Sequence, residues 1–202
     1  MRHVPTLAAL LLPGLWPAMA NAHAAFAGAG DFYAGALHPL TSPEHVMLLL
    51  ALGLLAGQNG RQRAAFLLAV FPLAVLAGAV LAQYWPAPPY WYAVNVVSAI
   101  VTGVLLALAR PLPRVLLGGV EASAGLAFGI ANGAAIEGQM LASAFVPGIV
   151  IVAFLALAYL MAAGDALPRR GWVAVALRVA GSWTVAIGVL VLSLADRQWG
   201  QS

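Results

Sequence analysis

The stretch "GALHPLTSPEH" at residues 35–45 places two imidazoles and a carboxylate within eight positions, in His38, Glu44 and His45. Nitrogen and oxygen ligands of this kind suit nickel, cobalt, zinc or copper(II). Ser42 with Pro43 is typical of a helix N-cap and first helical residue, which puts His45 in the first turn. We expect His38 to lie in an extended lead-in and to fold back, so that all three side chains converge on one ion.

A structural interpretation of Glu44 competes with the metal site. Thr41-x-x-Glu44 matches a capping box, in which the glutamate reaches back to a backbone N–H. Carboxylates are also favoured at helix starts by the helix dipole. For Glu44 alone the cap is the better interpretation. The two histidines favour a metal site, because a cap needs neither of them.

Further polar residues interrupt a later apolar stretch, at Glu121, Asn132 and Glu137. Glu121, Phe128 and Asn132 are spaced seven and four apart, so they share one helical face. An ionisable residue inside a membrane span is costly and therefore a functional-site hypothesis. This face is a candidate translocation path. Alternatively, Asn132 bonds a neighbouring helix, and the glycines around it serve close helix packing.

The composition sets the fold class. The chain has 202 residues, of which 63% are hydrophobic and 7% charged. So few charges predict an all-α polytopic membrane protein rather than a soluble domain. The nine basic residues are arginines scattered in short loops, so no nucleic-acid-binding surface is expected. Cysteine is absent, which excludes thiolate metal sites and cysteine nucleophiles.

The chain start has the order of a secretory signal peptide, with Arg2, an apolar segment and small residues. Cleavage after Ala20 or after Ala22 would free His23 to capture metal outside, and an uncleaved first helix is the alternative. We predict a signal peptide at 1–22 and a six-helix domain at 23–202. The six apolar stretches approach the ~20 residues that a bilayer requires, and lie near 42–58, 64–84, 92–109, 115–136, 141–163 and 172–194.

Arginine sets the predicted orientation. The first, third and fifth connections carry arginines, and the alternate connections carry none. The positive-inside rule places the arginine-bearing connections in the cytoplasm. The mature amino terminus then lies outside, as export by a signal peptide requires. The arginines concerned are Arg61, Arg63, Arg110, Arg114, Arg169 and Arg170.

The motif "HPLTSPEH" followed by "VMLLLALGLLAGQ" resembles the HupE/UreJ family of nickel and cobalt permeases. The resemblance implies a cleaved signal peptide, six spans and metal-binding roles for His38, Glu44 and His45. Glu44 stands where the family has aspartate, which keeps the charge. His23 fits the family's histidine at the mature amino terminus.

The fourth span departs from the family. The family carries a second motif there, rich in histidine and glycine and followed by glutamate. Here "GLAFGIANGAAIEG" keeps two glycines, but Phe128 and Asn132 stand where the family has histidines, and Glu137 follows about two residues late. Phe128 cannot ligate a metal, so the chain is interpreted as a divergent member.

The predicted function is uptake of a divalent transition metal ion across the bacterial inner membrane, and nickel or cobalt is the expected ion. Its expected partners are the bilayer, the transported ion and, in addition, a second copy or metalloenzyme maturation proteins. No tightly bound cofactor is expected. The alternative is a non-transporting accessory or metal-sensing protein of a hydrogenase or urease system. An enzyme is not expected, since no serine–histidine pair, His-Glu-x-x-His run or P-loop occurs.

Overall fold

The computed structural model describes residues 30–85, 90–167 and 171–199. Within these ranges all regular structure is helical. The helices, in chain order, are α1 (Gly30–Thr41), α2 (Pro43–Gln58), α3 (Arg61–Ala64), α4 (Leu67–Tyr84), α5 (Tyr90–Leu108), α6 (Arg114–Gly133), α7 (Ala142–Ala166) and α8 (Gly171–Trp199). The predicted signal peptide and His23 lie outside the described residues.

Five of the described helices, α4 to α8, are each long and apolar enough to cross a bilayer. Helices α1 and α2 meet the same criterion together, although they are bent by 77° at the break between them. The described chain therefore has six candidate spans when the bent pair is counted as one. The prediction of an all-α, multi-pass membrane protein is confirmed.

The bent pair corrects the expected conformation of the motif. His38 does not lie in an extended segment but in the last turn of α1. The break falls at Ser42, which has φ −102° and ψ 111° and caps α2. A residue before proline is pushed out of the helical region by the proline ring. Pro43 therefore confines the extended conformation to one residue, and the chain on either side is helical.

Helix α1 is held in place by close packing on α7. A Cβ added to Gly35 of α1 would collide with the Phe145 backbone, and one added to Gly148 of α7 would collide with the Phe32 carbonyl oxygen. Small residues allow two helix backbones to approach this closely in a membrane. This close contact supports a helix that continues through Pro39 and that the prolines and histidines of the motif did not predict.

The described core has two apolar clusters stacked along the bundle. The cluster next to His45, which we call the outer cluster, includes Leu52 of α2, Phe71 of α4 and Phe128 of α6. The other, which we call the inner cluster, includes Leu55 of α2 and Leu117 of α6. Helices α2, α4, α5, α6 and α7 each contribute residues to both clusters, so these five helices cross both levels side by side, whereas α8 contributes only to the inner cluster.

Two arginine-bearing connections and the end of α7 meet at one end of the bundle. Arg114 Nη2 donates to the Gln62 carbonyl at 3.0 Å. The Arg61 backbone N–H donates to Asp165 Oδ1 at 3.3 Å, at the end of α7. These contacts put the connections after α2 and α5 on the same side as the end of α7, as the arginine pattern predicts.

Candidate metal centre

A cavity of about 630 Å³ lies at the opposite end of the bundle. Its wall is formed by α1, by the connection between α6 and α7, and by the first turn of α7. Three of its lining residues are ionisable: Asp31, His38 and Glu137. The cavity therefore offers two carboxylates and an imidazole to whatever enters it.

Asp31 also shapes the cavity. Its Oδ2 accepts a hydrogen bond of 2.9 Å from the Leu141 backbone N–H, just before α7 begins. This bond ties the first turn of α1 to the start of α7. Glu137 lies on the facing connection and is exposed, beside Gly138 with φ +61°. The left-handed glycine turns the chain here and keeps Glu137 at the cavity edge.

His38 and His45 lie close together although a helix break separates them in sequence. Their ring centroids are 6.1 Å apart, with an angle of 56° between the ring planes. Imidazoles that share one ion through bonds of about 2.1 Å have ring centres roughly 5 to 6.5 Å apart. Small side-chain rotations would therefore let both rings bind the same ion.

His45 is the deeper of the two and is only 4% exposed. Its ring meets the Phe128 ring edge-on, with centroids 4.9 Å apart. Its Nε2 lies 3.3 Å from Nδ2 of Asn132. The first span thus contacts both of the fourth-span positions where the resemblance predicted histidines.

The Asn132 amide indicates which His45 nitrogen carries the proton. Asn132 Nδ2 also donates to the Phe128 carbonyl at 2.8 Å, which fixes the amide with its nitrogen toward His45. His45 Nε2 must then accept, so the proton of the neutral ring is on Nδ1. Nδ1 and the Asn132 Oδ1 have no hydrogen-bond partner. A metal ion that reached Nε2 would have to displace the Asn132 amide.

Glu44 is not part of this cluster. It lies half-buried in the first turn of α2. Among residues 30–85, 90–167 and 171–199, no three histidine, aspartate or glutamate side chains stand close enough to hold one ion. The structure therefore brings the two histidines of the motif together and leaves its carboxylate beside them.

The capping-box interpretation of Glu44 is wrong. The N-cap of α2 is Ser42 rather than Thr41, and no side chain makes a cap hydrogen bond. The Thr41 and Ser42 hydroxyls instead donate to the His38 carbonyl, at 2.9 and 3.3 Å. They satisfy the end of α1, which orients the histidine-bearing turn.

Some polar side chains deeper in the bundle have no hydrogen-bond partners in the described structure. Asn95 and Glu121 are fully buried, and neither side chain has a hydrogen-bond partner. The same holds for the side-chain amide of Gln58 at the inner end of α2. The sequence singled out Glu121, but it gave no signal for Gln58, which ends an apolar run like many interfacial residues.

Comparison with known proteins decides the family. The HupE / UreJ protein family matches residues 9–191. The chain belongs to the HupE/UreJ family. No curated protein and no solved structure matches it. The predicted family is thereby confirmed over nearly the whole chain, including the first span with His38 and His45 and the altered fourth span.

HupE/UreJ proteins form a transporter and accessory family. The family is linked to nickel and cobalt uptake and to the maturation of urease and hydrogenase. The multi-pass helical architecture described above agrees with a protein of the lipid bilayer.

Proposed function

We propose that this HupE/UreJ protein is an uptake permease for a divalent transition metal ion, nickel or cobalt. The observation that carries the proposal is the pairing of His38 at an open cavity with His45 in the bundle interior, 6.1 Å away. An accessible ligand next to a buried one provides a step from solvent into the membrane. Both are imidazoles, which suit these ions.

The proposed route begins at the cavity. Asp31 and Glu137 supply negative charge that raises the local concentration of cations. His38 then shares the ion with His45, and the nearby charge of Glu44 offsets that of the ion. We propose that His23 delivers ions to the same cavity from the mature amino terminus. Asn132, beside His45, is the first group that the ion meets beyond the histidine pair.

One observation favours the alternative of a non-transporting accessory or sensing protein. Phe128 lies against His45 and, at 5.9 Å between centroids, against Phe71, so aromatic rings close the route beyond the histidines. A protein that only senses metal needs the outer site and nothing deeper. The two functions therefore differ in whether an ion that binds outside appears inside the cell.

The proposed location is the bacterial inner membrane, with the cavity outside and the arginine-bearing loops in the cytoplasm. Because the chain has no cysteine, single cysteines introduced beside Arg110 and at Met140 would report the orientation directly. We expect impermeant maleimide to label the second position in intact cells and the first only after lysis. Labelling of the first in intact cells would contradict the orientation. Homo-oligomers and metalloenzyme maturation proteins are proposed partners.

The function is tested by uptake of radioactive nickel into cells that express the protein, with cobalt and zinc as competitors. A permease gives accumulation above vector controls that cobalt suppresses more than zinc. An accessory protein gives metal binding in isolated membranes without accumulation. Absence of both binding and accumulation would refute both functions.

A further inference from the structure

A second polar position lies well inside the bundle. Glu121 is completely buried, and neither of its carboxylate oxygens has a hydrogen-bond partner. It follows the first residue of α6, Arg114, by seven positions, or about 10 Å along the helix. Arg114 itself donates to a loop carbonyl at the bundle end. No hydrogen bond or ion pair in the described structure thus accounts for this carboxylate.

The two apolar clusters define the depth of Glu121. One turn before it, Leu117 belongs to the inner cluster, and one turn after it, Ala124 belongs to the outer cluster. On α5 the corresponding residues are Leu106 and Ala99. Glu121 therefore occupies the layer between the clusters, eleven residues or about 16 Å from Asn132. That is roughly half the thickness of a ~30 Å hydrocarbon core.

Helix α5 supplies oxygen atoms to the same layer. Thr102 lies between Ala99 and Leu106 and is fully buried. Its hydroxyl donates its proton to the Ser98 carbonyl at 2.7 Å, which leaves its oxygen lone pairs available as acceptors. Thr102 and Val120 line one crevice of about 350 Å³. Because Val120 is the neighbour of Glu121, Thr102 of α5 lies at about the same depth as Glu121 of α6.

Asn95 fills the interval between this layer and the histidines. It lies two turns from Thr102 on the same face of α5, is fully buried, and has neither amide atom bonded. Counted along the helices, buried polar side chains therefore occur at successive depths, with His45 and Asn132 at the outer end, Asn95 below them, and Thr102 and Glu121 deepest.

Burying polar groups without partners is costly, and burying a lone charge in the bundle is more so. A purely structural role does not account for Glu121, because it stabilises nothing within reach in the described structure. A leucine of similar volume would pack between the clusters at lower cost. The arrangement is explained by a cationic occupant that arrives from outside the protein.

We infer that Glu121 is the anionic ligand of a second cation site, at mid-membrane, with Thr102 contributing an oxygen. This inference rests on the proposed function and extends it: the ion passes from a nitrogen site at the outer histidines to an oxygen site at Glu121. Asn95 contacts the ion between them. Nickel and cobalt bind carboxylate oxygens less tightly than imidazole, so the second site releases the ion inward.

The inference is tested on the full chain, purified in detergent, by equilibrium dialysis against radioactive nickel. The parent is expected to bind two ions per chain, Glu121→Gln one and His45→Ala one. In cells, Glu121→Gln is expected to lower nickel uptake at least tenfold while the outer ion still binds. Thr102→Val should weaken the inner ion several-fold and leave the outer one unchanged.

Two further substitutions separate a site from a structural carboxylate. Glu121→Asp keeps the charge and should retain two ions, with weaker binding of the inner one. Glu121→Leu should lose uptake while the melting temperature stays equal or rises. Asp165→Asn, which removes an exposed carboxylate at the end of α7, is the matched control and should behave like the parent.

The outcomes distinguish the inference from the function on which it rests. A parent that binds one ion, or a Glu121→Gln variant that transports like the parent, overturns the second site and leaves the permease intact. A Glu121→Leu variant that melts lower than the parent while keeping its ion count makes Glu121 structural and also overturns the inference. A parent that neither binds nor accumulates nickel refutes the proposed function and the second site together.

Discussion

Buried polar side chains form hydrogen bonds at the outer end of this bundle, whereas the buried carboxylate in its middle forms none. At the outer end, His45 is hydrogen-bonded to Asn132, Asn132 to Phe128, and a wide cavity lies beside His38. In the middle, Glu121 is enclosed between apolar clusters without a partner. Hydrogen bonds offset part of the cost of burial in the first region, where His45 Nδ1 and Asn132 Oδ1 still lack partners, whereas no hydrogen bond of the described structure does so for Glu121 in the second region.

This contrast suggests that the two regions act at different stages. The outer region is close to a binding geometry before any ion arrives, because its two imidazoles need only small rotations. The middle region is closed off by the Phe128 and Phe71 rings. Along the proposed route, passage between the two regions would require Phe128 to move and Asn132 to release His45.

Removal of the outer histidines should give the largest effect. We expect His38→Ala and His45→Ala each to lower nickel uptake at least tenfold, because each removes one of two shared ligands. Nickel uptake by the double variant should be no lower than uptake by the more impaired single variant, because the effects of removing two ligands of the same ion are not additive. Uptake normalised to protein in the membrane is the measurement. Additive losses would mean that the histidines act on separate ions.

Conversion of Phe128 to histidine tests whether position 128, where this chain departs from its family, faces the bound ion. The Phe128 ring lies 4.9 Å from His45, so an imidazole there offers the outer ion another nitrogen. We expect Phe128→His to tighten nickel binding several-fold. Phe128→Leu, which keeps bulk without a ligand, is the control. Equal affinity in both variants would show that position 128 does not face the ion.

Gly148 tests the scaffold of the outer region. A side chain at this position would collide with the α1 backbone at Phe32. Gly148→Val should therefore push α1 away from α7, widen the distance between His38 and His45, and lower both the melting temperature and nickel affinity. Gly119, where an added Cβ meets nothing, provides the control as Gly119→Ala. Normal nickel affinity in Gly148→Val would show that the site does not depend on α1.

The sequence was sufficient for the membrane class and for the apolar stretches, and it singled out His38 and His45, which the structure brings within 6.1 Å of each other. It could not predict α1. The helical state of residues 30–41 depends on backbone contact with α7 through Gly35 and Gly148, and tertiary packing of this kind leaves no periodic signal. The "HPLTSP" letters favour a loop on local grounds, and the packing overrides them.

The residues of the candidate site were predictable from the sequence, and their grouping was not. Residue types indicated imidazole and carboxylate chemistry, but spacing along the chain suggested that Glu44 and both histidines converge. The described structure bends by 77° between α1 and α2 and brings together only the two histidines. The approach of Asn132 to His45 joins residues 87 positions apart, and no local pattern encodes such a distance.

Glu44 should give a smaller effect than the histidines. We expect Glu44→Asp to retain most of the uptake and Glu44→Gln to lose several-fold, because the carboxylate contributes charge rather than a direct bond in this geometry. The effect of Glu44→Gln should diminish as salt increases, since screening weakens interactions between separated charges. Equal uptake by the two variants would remove Glu44 from the site.

The smallest effect is expected at the end opposite to the cavity. Asn59 Oδ1 accepts a 2.7 Å hydrogen bond from the Leu112 backbone N–H and joins two loops. Asn59→Ala should cost about 1 kcal/mol of stability, seen as a modest fall in melting temperature, with nickel affinity unchanged. A loss of affinity would mean that the inner loops and the outer site are coupled.

X-ray absorption spectroscopy can test whether His38 and His45 bind one and the same ion. The Glu121→Gln variant, loaded with one equivalent of nickel, keeps the spectrum free of a second ion. We predict two imidazole ligands in this protein and one after His38→Ala or His45→Ala. A nickel environment that is identical with and without either histidine would contradict it.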